Sequence, residues 1–130
     1  MNSASFVIDA SALVPFLING ESLGPADAGG RLLAPTMLPY EVTNIIRRIA
    51  LRENIAPAAQ REAFDDLHGM AIEMWPWPAV SERVWELRHS LTAYDASYVA
   101  VSELANAVLI TKDRKLAAAS GIRCAVEVLP

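Results

Sequence analysis

At 130 residues the chain has the size of one domain, read here as spanning 1–130, and buries enough surface to fold without disulfides or structural metal. A net charge of −4 excludes a protein that grips nucleic acid by bulk positive charge. Hydrophobic residues make up 53%, yet no apolar run nears the ~20 residues of a membrane span, so the expectation is a cytoplasmic, membrane-free domain with apolar surface left for a partner.

Apolar runs alternate with helical patterns along the chain. Phe6–Asp9 reads as a short buried strand; it lacks a basic flank and contains Asp9, so it is not expected to act as a secretory leader. Ala12–Ile18 reads as a short helix with Pro15 in its first turn, and Asn19–Gly30 as a flexible loop. Arg31–Ala34 is a second strand. Thr36 is placed to cap a helix running to Glu53, whose Val42, Ile45, Ile46 and Ile49 fall on one face. Ala58–His68 is a further helix and Ile72–Trp75 a third strand, ended by Pro76 and Pro78. Val80–His89 and Thr92–Leu104 read as helices, Val108–Thr111 as a strand, Arg114–Ala119 as a short helix stopped by Gly121, and Arg123–Leu129 as a last strand holding Cys124 as a buried small hydrophobe. Such alternation implies a parallel sheet covered on both faces, with its ligand crevice beyond the carboxyl ends of the strands.

Four carboxylates stand where a charge is costly. Asp9 closes Phe6-Val7-Ile8, Glu41 edges an apolar helix, Asp95 lies in the apolar stretch Ala93–Leu104, and Asp113 follows Val108–Thr111. Each also has a local role open to it, as a helix cap or a dipole partner. The parallel sheet offers a common one, because strand ends and the helices that follow them meet at one rim. Asp95 reaches that rim only if the chain returns to it between His89 and Thr92. Carboxylates ~4 Å apart repel by about 4 kcal/mol at an effective dielectric near 20, so such a cluster calls for a cation. Mg²⁺ or Mn²⁺ suits an all-oxygen set and activates water toward a phosphodiester. Zinc is disfavoured, since His68 and His89 lack ligand spacing and there is one cysteine. Asn44 falls on the side of Glu41 and can orient it; Ser11 and Thr111 can support Asp9 and Asp113; Arg114 and Lys115 can steady a substrate backbone. Trp75, Trp77 and Trp85 can stack on bases, although core or interface packing is the favoured reading.

The motifs Phe6-Val7-Ile8-Asp9-Ala10-Ser11, Tyr40-Glu41-Val42-Thr43-Asn44, Leu91–Ala96 and Leu109–Leu116 resemble, in order and spacing, the four acidic motifs of PIN-domain nucleases. Nearly the whole chain is covered, and its compact length resembles the VapC toxins of VapBC toxin–antitoxin pairs. The resemblance implies a three-layer α/β/α fold with strand order 3-2-1-4-5, Mg²⁺- or Mn²⁺-dependent endoribonuclease activity on RNA with Asp9, Glu41, Asp95 and Asp113 as metal-binding catalytic residues, a homodimer, and a VapB-type antitoxin as partner. Some relatives carry a further acid after the fourth motif. Arg114, Lys115 and Leu116 stand there in this chain, which leaves one or two metal ions open. Two other readings compete: a non-catalytic PIN-like binding scaffold, and a phosphoacceptor receiver domain with an acidic Mg²⁺ pocket. The receiver needs an acid after the third strand, where this chain runs Met74-Trp75-Pro76-Trp77.

Overall fold

A computed structural model describes residues 4–130. Five short strands form one sheet: β1 (Ser5–Ile8), β2 (Arg31–Pro35), β3 (Ile72–Trp75), β4 (Val108–Thr111) and β5 (Val126–Val128). The order is β3-β2-β1-β4-β5 and every pairing is parallel. Six α-helices connect them: α1 (Ala10–Asn19), α2 (Leu38–Glu53), α3 (Pro57–Gly69), α4 (Trp77–Glu86), α5 (Ala93–Ala105) and α6 (Arg114–Ala117). The β1→β2 and β2→β3 crossovers step one way across the sheet and β3→β4 and β4→β5 step the other. Right-handed crossovers therefore place α1, α2 and α3 on one face and α4, α5 and α6 on the opposite face. The packing agrees: α1, α2 and α3 touch one another, while α4 lies on α5, which covers β1, β2 and β4. The result is the three-layer α/β/α arrangement.

The central strands are apolar throughout because both of their faces are covered. Val7, Leu33, Leu109 and Ile110 are fully buried, and Leu13, Leu38, Val42 and Val99 press on them from the two helical layers. Edge strand β3 is half-exposed, and Arg31 and Glu73 form an ion pair across β2 and β3 on its open side.

The elements follow the sequence reading with instructive departures. Pro15 sits at the sixth position of α1, not in its first turn, because Asp9 starts the helix earlier. Thr36 does not cap α2: its N–H instead donates to the Trp75 carbonyl (3.1 Å), and the helix opens after Met37 with Pro39 in its first turn. Helix α4 begins at Trp77, since prolines at 76 and 78 are tolerated at a helix start, and it ends at Glu86. The last strand shortens to Val126–Val128, which leaves Cys124 half-buried in the bend before it. Trp77 and Trp85 do not join the core; both are largely exposed.

Candidate active site

Asp9 follows the last residue of β1 and is the N-cap of α1, with its side chain 6% exposed. Its Oδ1 accepts from Ser11 Oγ (2.6 Å) and the Ala12 N–H (3.1 Å), and its Oδ2 accepts from Thr111 Oγ1 (2.5 Å). Strand pairing brings Thr111 there: Ile8 lies beside Ile110, and the Asp9 N–H donates to the Ile110 carbonyl (3.2 Å). Thr111 Oγ1 also accepts from the Asp113 N–H (3.0 Å), and Ser11 Oγ accepts from the Lys112 N–H (2.9 Å). One threonine thus donates to the first acid and fixes the backbone of the fourth. Asp113 in turn caps α6, its Oδ1 accepting from the Lys115 N–H (2.9 Å) and the Leu116 N–H (3.4 Å).

Glu41 and Asp95 arrive from the two helical layers. Glu41 lies in the first turn of α2, and Asp95 in the first turn of α5, where Thr92 Oγ1 accepts its N–H (3.2 Å). The chain does return to the rim before Thr92, by way of turns at Leu87–Ser90. Tyr98, one helical turn beyond Asp95, is 1% exposed, and its hydroxyl donates to Glu41 Oε1 (2.9 Å). This bond joins the two helical layers across the top of the sheet. The sequence reading missed Tyr98, although its place three residues after Asp95 in an apolar helix was a usable signal: a buried tyrosine hydroxyl needs an acceptor.

The charges feel one another. Burial raises the pKa of Asp9, Ser11, Thr111 and the Ala12 amide oppose this, and the charge of Asp95 adds to the rise. Burial likewise raises Glu41 against the Tyr98 hydrogen bond, with Asp95 and Asp9 adding to the rise. Asp95 is raised by burial and then by Asp113. The Tyr98 hydroxyl is driven far up by burial and by the neighbouring carboxylates, so it stays a donor. Among the described residues none of the four acids forms an ion pair; the nearby Lys112 pairs with Glu21 instead (2.5 Å). Nor, among those residues, do three Asp, Glu, His or Cys side chains stand close enough to grip one ion as they are. The oxygens of Asp9, Glu41 and Asp113 are turned to Ser11, Thr111, Tyr98 and the α1 and α6 amides, and mutual repulsion opposes closer approach.

This donor set fits a hard divalent cation. It is all oxygen, it lacks a compensating lysine or arginine, and its charge is already resisted by burial, conditions that an ion held partly through water relieves. Of the supporting residues, Ser11 and Thr111 stand where the sequence places them. Asn44 does not: it is exposed, and its Oδ1 accepts from Arg47 Nε (3.3 Å) and Nη2 (3.1 Å) rather than meeting Glu41. Arg114 and Lys115 are exposed beside Asp113. The site is an open rim. A groove of about 550 Å³ lies instead at the other end of the sheet, where Arg83 and Glu103 close on each other (2.6 Å).

The PIN domain family matches residues 6–122, which takes in all four acids. The chain is a PIN-domain protein. A VapC ribonuclease of Mycobacterium bovis, Mb0985, is 36% identical over 124 residues, which cover 95% of this chain and 98% of that protein, so the chain belongs to the VapC branch. Among solved structures, PAE2754 from Pyrobaculum aerophilum superposes with a TM-score of 0.70 at 28% identity, covering 96% of this chain and 84% of that one. VapBC2 from Rickettsia felis, bound to a DNA fragment from their promoter, shares the fold at 11% identity, with a TM-score of 0.68 over 95% of this chain and 98% of that one. For a PIN domain, the caps seen at Asp9 and Asp113 are compatible with service in the acidic site: each carboxylate keeps lone pairs free after its amide contacts are met.

Proposed function

We propose that this VapC-type PIN domain is the endoribonuclease toxin of a toxin–antitoxin pair, cleaving RNA phosphodiesters with Mg²⁺ or Mn²⁺ held by Asp9, Glu41, Asp95 and Asp113. The observation that carries the reading is the convergence of four acids from β1, α2, α5 and β4 on one carboxyl rim, where three have raised pKa values and at least one other member of the set contributes to each rise. When bound, such a cation supplies a Lewis acid that lowers the pKa of water and offsets charge on the phosphate and leaving oxygen. Asp9 is held by Ser11 and Thr111 in one orientation. Tyr98 keeps Glu41 turned toward the rim. Arg114 and Lys115, one and two residues past Asp113, meet the phosphates on that flank.

The antitoxin partner and the homodimer belong to the same proposal. Apolar side chains exposed away from the rim, Leu51 and Phe64 on α2 and α3 and Trp85 on α4, support it as surface that a protein partner covers. A non-catalytic scaffold is less well supported, because no acid of the set is missing. The test is cleavage of total cellular RNA with Mg²⁺ and Mn²⁺, with and without chelator, by the parent and by Asp9→Ala and Asp95→Ala. Loss of metal-dependent cleavage in both folded variants is expected; variants as active as the parent would overturn the assignment.

A further inference from the structure

Three large aromatic side chains stand in solvent beside the acidic rim: Tyr40 is 80% exposed, Tyr94 65% and Trp77 61%. Tyr40 directly precedes Glu41, Tyr94 directly precedes Asp95, and Trp77 opens α4 two residues after β3 ends. Contacts tie their segments together. The Thr36 N–H donates to the Trp75 carbonyl (3.1 Å), linking the ends of β2 and β3. Ser97 Oγ donates to the Tyr94 carbonyl (2.6 Å) and lies 3.8 Å from Met37 Sδ, linking the starts of α5 and α2. Tyr40 and Trp77 therefore lie on the segments that follow β2 and β3, and Tyr94 opens α5, which lies over β1, β2 and β4. Arg114 and Lys115 follow β4, on the other side of β1 from β2 and β3. Asp9, at the end of central strand β1, lies between the two flanks.

An aromatic ring of this size normally buries 150–250 Å² on folding, roughly, and the same chain buries Tyr98 almost whole. Met74, near the end of β3, is exposed to a smaller degree, and the exposed aliphatic residues Leu51 and Leu104 lie toward the far ends of α2 and α5, so the largest exposed apolar side chains at the rim are flat rings. Flat rings next to a phosphodiester-cleaving centre, with cations across from them, match a polyanion whose bases have free faces.

We propose that Tyr40, Tyr94 and Trp77 form a base-stacking subsite, taking unpaired nucleobases on one side of the scissile phosphate while Arg114 and Lys115 hold the backbone on the other. This assignment rests on the ribonuclease reading and deepens it. Bases inside a duplex have no free face, so the subsite selects strands that are open next to the cut.

The test is equilibrium binding of a short unpaired oligoribonucleotide by fluorescence polarisation, with Ca²⁺ in place of Mg²⁺ to slow cleavage. The same strand with abasic sites, and its duplex, are the comparison probes. Tyr40→Leu/Tyr94→Leu, on exposed positions, is expected to weaken binding of the base-containing strand at least about tenfold, in line with stacking by two rings. Tyr40→Phe/Tyr94→Phe is expected to bind like the parent, and the abasic strand and duplex are expected to bind parent and leucine variant alike. Unchanged affinity in the leucine variant, or an equal loss on the abasic strand, overturns the subsite. So does a leucine variant that keeps its RNA affinity but loses dimerisation in light scattering, which would make the patch a protein interface. A parent that shows base-dependent binding yet no cleavage would sink the nuclease reading while leaving the stacking subsite standing.

Discussion

Replacing Tyr98 with phenylalanine isolates the side-chain bond that ties Glu41 to the opposite helical layer. The change removes a single oxygen, which donates to Glu41 Oε1 at 2.9 Å from a ring 1% exposed. A hydrogen bond to a charged acceptor contributes ~1.5–3 kcal/mol. Glu41 is only half-buried, and water replaces part of what it loses, so the cost falls to about 1–1.5 kcal/mol, or about 3–6 °C in melting temperature for a domain of this size. No buried donor is orphaned, because the donor leaves with the substitution. Two functional effects follow. Glu41 gains rotamers, so apparent Mn²⁺ affinity, followed by the electron paramagnetic resonance signal of free ion, is expected to fall by about three- to tenfold, the equivalent of ~1 kcal/mol. The Tyr98 hydroxyl opposes the upward push of burial on the Glu41 pKa, so its loss raises that pKa further and moves the rising limb of the pH–rate profile to higher pH. A phenylalanine variant with parental melting temperature, Mn²⁺ affinity and pH profile would show that Tyr98 does not hold Glu41.

Asp95→Asn is expected to abolish metal-dependent cleavage and yet raise the metal-free melting temperature at pH 7. The folded pKa of Asp95 lies above its ordinary value of 3.8, so the native state binds the proton more tightly than the unfolded chain does; the penalty appears as pH rises through that window and is absent below it, and the gain should vanish at pH 3 in calorimetry. Thr111→Val leaves the buried Asp9 Oδ2 and the partly buried Asp113 N–H each short of a partner, and chemical denaturation is expected to show a loss of roughly 2–4 kcal/mol with cleavage reduced in step; a loss under 0.5 kcal/mol, roughly a neutral surface change, would contradict the bridging role. Gly30→Ala tests the entry to β2: at a φ of +130° its Cβ would stand 2.5 Å from the Ala4 carbonyl oxygen, so a marked drop in melting temperature is expected and an unchanged one would refute the close approach.

Most of the architecture is legible in the sequence because its central strands are buried on both faces and read as unbroken apolar runs between helices of period 3.6. Asp9 and Asp113 could be paired on paper once β1 and β4 were neighbours. Boundaries were lost where proline has two uses: Pro76 and Pro78 both end β3 and open α4, so the helix starts three residues before the expected Val80. Thr36 looked like a cap, but its amide answers the Trp75 carbonyl, a partner 39 positions away that no local pattern encodes. Asn44 failed for a related reason. Helical spacing places it on the side of Glu41 but equally within reach of Arg47, and the guanidinium holds it. Tyr98 was hidden by its own burial, since a tyrosine in an apolar helix reads as packing until its acceptor is located on another element.

The proposed site for a divalent cation draws its four acids from separate elements. Isothermal titration of Mn²⁺ into the parent and into Asp9→Asn, Glu41→Gln, Asp95→Asn and Asp113→Asn, paired with cleavage of total RNA by the same preparations, tests it most directly. Saturable binding by the parent, weakened in every variant together with cleavage, is expected. A parent that cleaves RNA equally well in chelator, or variants that bind and cleave as the parent does, would contradict it.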